Sequence, residues 1–221
     1  MPGVGERLYL ITDGSAKRDL SGFLEKIDAA LAGGARLIQL REKALSAKDL
    51  LKLAKIIKAK AETFGARLLI NDRADIALAA GADGVHITGN GYAPFEARKI
   101  LGDTALIGVS THSIVEARRA EEEGADFVTF GPVYFTRLKA AYGEPLGIEK
   151  LRETATLVTI PVFALGGITT KRVVEAVSNG ASGVAVISAV FGSGDIKKSV
   201  EGLLSELDHQ TFRRGGKDDP A

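Results

Sequence analysis

The sequence contains no cysteine, which excludes disulfide bonds, thiolate catalysis and every cysteine-ligated metal centre. Neither sign of charge is in excess: 29 basic residues stand against 28 acidic ones, a net charge of +1. A broad basic field for nucleic acid and a polybasic membrane anchor are therefore both missing. No apolar run approaches the ~18 residues that a membrane-spanning helix needs. Met1 to Leu10 passes straight into a strand-like run without a signal-peptide layout, so a cytoplasmic location is expected. Ser-His-Asp order, P-loop, zinc motif and G-x-G-x-x-G fingerprint are all absent. Aromatics are scarce, at 6%, whereas glycine is abundant, at 26 residues. That balance suits a close-packed α/β enzyme with many tight turns, and 221 residues suffice to bury about 70% of the unfolded surface.

What is present is a repeated junction, Gly-Ala-x-x followed by a short apolar run. It occurs at Gly34-Ala35, Gly65-Ala66, Gly81-Ala82, Gly124-Ala125 and Gly180-Ala181. Each glycine stands where a helix should stop, because glycine alone enters the left-handed C′ conformation without penalty. Each following run is nearly continuous in apolar residues, as a parallel strand buried on both faces requires. Eight strands are expected: Leu8–Asp13, Leu37–Glu42, Leu68–Asp72, Gly84–Thr88, Leu106–Ser110, Phe127–Pro132, Val162–Gly166 and Gly183–Ser188. Amphipathic stretches alternate with them. Between Ala47 and Phe64, Leu50, Leu51, Leu53, Ala54, Ile57 and Ala61 share a face opposite Lys52, Lys55, Lys58 and Glu62. Ile114–Glu123 and Lys171–Ser178 follow the same pattern. Eight β/α units without a linker predict a single closed (β/α)8 barrel, a TIM barrel of parallel strands, over residues 1–214. An open doubly wound sheet is the alternative, since periodicity does not report closure. Residues 215–221 are polar and charged, carry Pro220 near their end and read as a disordered tail.

Polar residues collect at the carboxyl ends of these strands, the end that carries chemistry in such barrels. Gly166-Gly167 would leave backbone amides uncovered by side chains; with Ile187-Ser188 after strand eight they form a candidate phosphate cradle, or else a tight turn. Gln39 and Arg41 alternate onto the inner face, with Lys43 over the rim. Inward cations are costly without an anion, so they point to phosphoryl groups, or to an ion pair with Glu42 or Asp72. Asp72, after Asn71, suits Mg²⁺ bridging to a diphosphate, or the N-cap of the next helix. Lys139 lies in the long loop Gly131–Gly147 after strand six, either a closing cation or a solvated lysine. His112 is placed for proton transfer at the end of strand five, while His86 and His209 read as structural.

At these residues the chain resembles the thiamine phosphate synthase family and its thiazole tautomerase branch. The likeness runs from about Leu8 to Val190. It is carried by Tyr9-Leu10-Ile11-Thr12-Asp13, Gln39-Leu40-Arg41-Glu42-Lys43, Ile70-Asn71-Asp72-Arg73, Gly108-Val109-Ser110-Thr111-His112-Ser113, Gly131-Pro132-Val133-Tyr134, Pro145-Leu146-Gly147 and Gly166-Gly167-Ile168-Thr169. The resemblance implies coupling of hydroxymethylpyrimidine diphosphate to a thiazole phosphate, with release of pyrophosphate. By the same resemblance Gln39 and Ser110 contact the pyrimidine, and Arg41, Lys43, Asn71 and Lys139 hold the diphosphate. Asp72 binds Mg²⁺, and Thr136, Gly167, Ile187 and Ser188 bind the thiazole phosphate. Two positions depart from the family pattern: Gly91 stands where a second acidic Mg²⁺ ligand is usual, and Leu138 replaces the threonine before Lys139. Three readings are consistent with that combination. They are a synthase, a tautomerase using His112 as acid/base, and a non-catalytic sensor of thiamine phosphate. The expected partners are small phosphorylated molecules, with a homodimer left open and neither nucleic acid nor membrane involved.

Overall fold

The computed structural model describes residues 3–136 and 144–215, with side chains up to residue 209. Eight parallel strands close into one barrel in sequence order, β1 to β8, and the last pairs with the first. The strands are β1 Leu8–Ile11, β2 Leu37–Leu40, β3 Arg67–Asn71, β4 Gly84–Ile87, β5 Leu106–Thr111, β6 Phe127–Phe130, β7 Val162–Leu165 and β8 Gly183–Val186. All eight lie where the sequence places them. Most stop a residue or two short of the expected carboxyl end, where the polar residues leave the ladder for the loops. The helices are α1 Leu20–Ala32, α2 Ala47–Thr63, α3 Ala74–Ala80, α4 Pro94–Leu101, α5 Ile114–Glu122, α6 Gly147–Leu157, α7 Thr170–Ser178, α8 Ser188–Phe191 and α9 Ile196–Gly215. Gly215, expected to begin the tail, instead ends α9; residues 216–221 lie outside the described set.

Strand alternation divides the apolar residues into two cores. Leu10, Ile38, Ile70, Val85, Ile107, Val128, Ala164 and Val184 face outward against the helices. Tyr9, Ile11, Leu37, Leu69, Leu106, Phe127, Phe163 and Ala185 fill the barrel. Inside, Tyr9, Phe127 and Phe163 meet edge to face, with centroids 5.3–6.1 Å apart. Space for these rings comes from Gly108: a Cβ there would lie 2.3 Å from the Phe127 ring and 2.6 Å from His86 Nδ1. The barrel is thus plugged below its mouth.

The helices begin and end as their sequences dictate. Asp19, Ser46 and Ser113 accept from the backbone N–H three residues on. The glycine of each Gly-Ala junction takes a positive φ, between 62° and 102°. Lys58 departs from its expected solvent face: it reaches down α2 to pair with Asp83 at 2.8 Å, which burial alone would disfavour and the carboxylate offsets.

The base of the barrel carries a device hidden in the repeat. Asp83 N donates to Leu68 O while Leu68 N donates to Asp83 Oδ2. Asp126 and Ile107 repeat this reciprocal pair, as do Ser182 and Val162. The residue after each of these Gly-Ala pairs therefore seals an N–H at the start of the preceding strand, the second of β3 and of β5 and the first of β7.

Candidate active site

The register sets the inner lip of the mouth. Gln39 lies beside Ile11 on one neighbouring strand and Leu69 on the other, and Asn71 beside His86. Ser110 lies beside Thr129. Alternation then directs Gln39, Asn71, His86 and Ser110 inward above the aromatic plug, with Arg41 one step higher on β2. Gln39 is buried and its Nε2 donates to the Tyr9 hydroxyl at 2.9 Å. Burial holds the Tyr9 phenol well above its ordinary range, so it stays neutral. His86 is buried too, with Nε2 at 2.9 Å from Ser110 Oγ. Desolvation, the largest cause, and then the Arg41 charge pull its pKa down to about 3 against the opposing field of Asp72. His86 is thus a neutral partner of Ser110.

Arg41 is the cation closest to this floor, near enough to act on His86. Among the described residues no carboxylate pairs with it, and Lys43 stands exposed at the rim. Neither Glu42 nor Asp72 answers these cations, so the ion-pair alternative is not what the structure shows. Glu42 turns outward into the loop after β1. There it accepts from Thr12 Oγ1 at 2.8 Å and from the amides of Gly14 and Ala16, both at 3.0 Å. Burial lifts its pKa above the ordinary value although all three donors oppose the rise. Thr12 Oγ1 in turn accepts from Arg41 N at 2.9 Å. The sequence alone does not join Glu42 to Thr12; their adjacency exists only once β1 and β2 are neighbours.

Asp72 takes a left-handed backbone, φ 58°. Its Oδ1 accepts from Thr88 N at 2.7 Å and Thr88 Oγ1 at 2.9 Å, and its Oδ2 accepts from Asn71 Nδ2 at 2.7 Å. It does not cap α3: the N-cap is Arg73, without a side-chain cap bond. The capping alternative therefore fails. Asn71 Oδ1 is buried and has no partner. Asp13, a further carboxylate after β1, is engaged by Ser15 and Lys26. At Gly91 there is no room for a side chain: a Cβ would lie 2.6 Å from Ile87 Cγ2 and 3.0 Å from Thr88 O. The exposed loop after β4 turns back on itself there, its Gly91 N–H on Thr88 O at 2.7 Å.

Opposite Arg41, the loops after β6 and β7 are knitted together. Val133 N donates to Leu165 O and Tyr134 N to Gly166 O. Gly166 and Gly167 have φ of 97° and 66°, and a Cβ on either would strike Pro132, or Tyr134 and Phe135, within 2.6–2.8 Å. Both the positive φ and the close approach thus demand glycine. Among the described residues the Gly166 and Gly167 amides give no hydrogen bond, so the expected bare amides are present as well as the tight turn. Ile187 flanks the barrel interior and Ser188 is exposed at the start of α8. Thr136 is half-buried at the end of the described loop, while Lys139 and Leu138 lie outside the described residues. His112 is exposed at the rim, its Nδ1 donating to Gly131 O. His209 lies on α9, lining a surface hollow with Gly33 and Glu201, a hollow that none of the mouth residues lines.

The mouth therefore gathers Gln39, Arg41, Asn71, Asp72 and Ser110 on one side and the bare Gly166-Gly167 amides on the other. Among the described residues no helix is long and apolar enough to cross a membrane. The family model described as thiamine monophosphate synthase matches residues 8–190. A relative in Geobacter sulfurreducens is 52% identical, covering 96% of this chain and 99% of its own length. The thiamine-phosphate synthase of Clostridium novyi is 43% identical, over 91% of this chain and 98% of that protein. The solved thiamine phosphate pyrophosphorylase of Pyrococcus furiosus superposes with a TM-score of 0.82 at 34% identity, over 92% of this chain and 96% of that one.

Proposed function

The chain belongs to the thiamine monophosphate synthase family, and we propose that it is a working synthase, joining hydroxymethylpyrimidine diphosphate to hydroxyethylthiazole phosphate. In the reaction the bond from the pyrimidine methylene carbon to the diphosphate oxygen breaks, and the electron pair leaves with pyrophosphate. The thiazole nitrogen then donates its lone pair to that carbon, and the product is thiamine phosphate, a thiazolium cation. No proton has to be exchanged with the protein. What the protein must supply is neutralisation of the departing charge and alignment of the thiazole nitrogen.

The observation that carries this reading is Arg41: an inward cation on the lip of a plugged barrel, with no carboxylate answering it among the described residues. Such an arrangement is costly in the empty site and favourable with a phosphoryl group as bidentate partner. Lys43 and Lys139 add mobile charge, and the Asn71 amide a neutral donor. Gln39 and Ser110, on the floor beneath, offer hydrogen bonds to a flat heterocycle lying on the aromatic plug. Gly167, Ile187, Ser188 and Thr136 take the thiazole phosphate at the opposite lip.

Mg²⁺ fits this donor set. Asp72 has lone pairs left beyond its three hydrogen bonds, and the buried Asn71 Oδ1 lacks a partner. One carboxylate beside diphosphate oxygens is a usual environment for the ion. When bound it would neutralise part of the diphosphate charge. Thr88 and Asn71 hold the Asp72 carboxylate in place for it.

The test is to incubate both substrates with Mg²⁺ and follow thiamine phosphate and pyrophosphate. Equal amounts of the two products are expected. Metal-independent isomerisation of a thiazole carboxylate phosphate that fails in His112→Ala would instead make the chain a tautomerase, and product binding without turnover would make it a sensor.

A further inference from the structure

The side of the mouth opposite Arg41 is held by a cluster that the reaction as described does not use. Arg172, on the first turn of α7, donates from Nη1 to Gly167 O at 2.7 Å. Its guanidinium lies over the Tyr134 ring, 4.5 Å from the centroid, within the range of cation–π attraction. The Tyr134 hydroxyl donates to Glu175 Oε2 at 2.8 Å, one turn further along the same helix. Burial and this carboxylate both raise the Tyr134 pKa, which keeps the phenol a donor. Tyr134 N also donates to Gly166 O. One residue of the loop after β6 is therefore clasped between the glycine pair and two side chains of α7.

The bond to Gly167 O has a consequence for the amide beside it. A trans peptide is planar, so its C=O and N–H point to opposite sides. With Gly167 O drawn toward Arg172, the Ile168 N–H is turned away from α7. Among the described residues that N–H has no acceptor, and neither do those of Gly166 and Gly167. Tyr134 N already holds the Gly166 carbonyl; the next peptide, Gly167–Ile168, follows a second glycine of positive φ and needs a restraint of its own. The charge-assisted bond from Arg172 is placed to supply it.

We propose that Arg172 is a positioning residue for the phosphate-ester end of the site, holding the Gly167–Ile168 peptide with its N–H presented to a phosphoryl oxygen. Its stack on Tyr134 ties that peptide to the loop that carries Thr136. The inference rests on the proposed synthase reading for the identity of the ester, and on this chain's own Arg172, Tyr134 and Glu175 for the geometry.

The experiment compares Arg172→Ala with Lys171→Ala, which removes an exposed neighbouring cation on the same helix. Steady-state kinetics are taken with each substrate varied in turn. Arg172→Ala is expected to raise KM for the thiazole phosphate about tenfold, the worth of one charge-assisted hydrogen bond. KM for the pyrimidine diphosphate should stay within about twofold, and Lys171→Ala should match the parent. An unchanged thiazole phosphate KM in Arg172→Ala overturns the proposal. An equal rise in Lys171→Ala also overturns it, since bulk charge would then suffice. So does a joint rise of both KM values with a fall in Tm, which marks general loosening. If the parent chain makes no thiamine phosphate, the synthase reading fails separately. Calorimetry then decides the proposal: the parent should bind the thiazole phosphate more tightly than its dephosphorylated alcohol, and Arg172→Ala should lose that preference.

Discussion

The two ends of this barrel treat polar groups in opposite ways. At the base, Asp83, Asp126 and Ser182 exchange reciprocal hydrogen bonds with the strands beside them, and Lys58 and Arg98 close on the two carboxylates at 2.8 and 2.9 Å. One oxygen of Asp126 is the exception, buried without a partner. At the mouth, among the described residues, Asn71 Oδ1 and His86 Nδ1 are buried without partners, no carboxylate pairs with Arg41, and the Gly166 and Gly167 amides give no hydrogen bond. A buried unsatisfied group costs about 1–3 kcal/mol. The base lowers that cost within the chain, whereas the mouth leaves it to be relieved by a ligand. The difference teaches where stability and activity should separate under mutation.

The largest effect is expected at the base. Asp126→Ala leaves Arg98 without its carboxylate and Ile107 N without its acceptor. Breaking such a buried pair should cost about 3–5 kcal/mol of unfolding free energy, measured by urea denaturation, while kcat/KM of the folded fraction stays unchanged. Arg41→Ala should do the reverse. Loss of one preorganised cation should lower kcat/KM by about 10²–10³-fold, with stability level or slightly higher because an unanswered charge has gone. A destabilised but fully active Arg41→Ala would erase the contrast between the two ends.

Gly91→Asp sharpens the comparison at the mouth. If the metal site merely lacked a carboxylate, restoring one would lower the Mg²⁺ concentration needed for half-maximal activity. The structure argues otherwise, because a Cβ at Gly91 meets Ile87 at 2.6 Å and backbone at Thr88. Accommodating it must move the residue that holds Asp72. Overpacking of this kind should cost about 1–3 kcal/mol, with no lower Mg²⁺ requirement. Titration of Mg²⁺ beside a denaturation curve reads both quantities.

Much of this contrast is legible before folding. The Gly-Ala repeat gives the strand count and the helix stops because both depend on local backbone conformation, and Gln39 and Arg41 face inward because alternation is local too. The partners are not legible. That Thr88 rather than a helix end occupies Asp72, that Glu42 ignores the neighbouring Arg41 and Lys43, and that Arg172 reaches Gly167 all depend on which loops meet across the closed ring. Lys58 shows the same limit: helical periodicity gives it to solvent, and a long side chain finds Asp83 instead.

Glu42 tests the comparison where it is weakest, since it is a base-like, fully bonded carboxylate placed at the mouth. It ties Thr12, Gly14 and Ala16 together, and through Thr12 it holds the Arg41 backbone. In Glu42→Gln one oxygen becomes an NH₂ group facing a donor, which is unfavourable, but the cost of burying a charge disappears. The two oppose, so a net loss of about 1 kcal/mol is expected, the small end of the hydrogen-bond range. The pH dependence separates them. Burial raises the Glu42 pKa above its ordinary 4.5, so the native state keeps this proton at a higher pH than the unfolded chain. Its contribution is full below the unfolded value and is lost as pH rises through the window just above 4.5. Glu42→Gln should therefore remove a decline in stability across that window. If instead the parent gains stability there relative to the variant, hydrogen bonding outweighs burial, and this carboxylate belongs with the charges of the base.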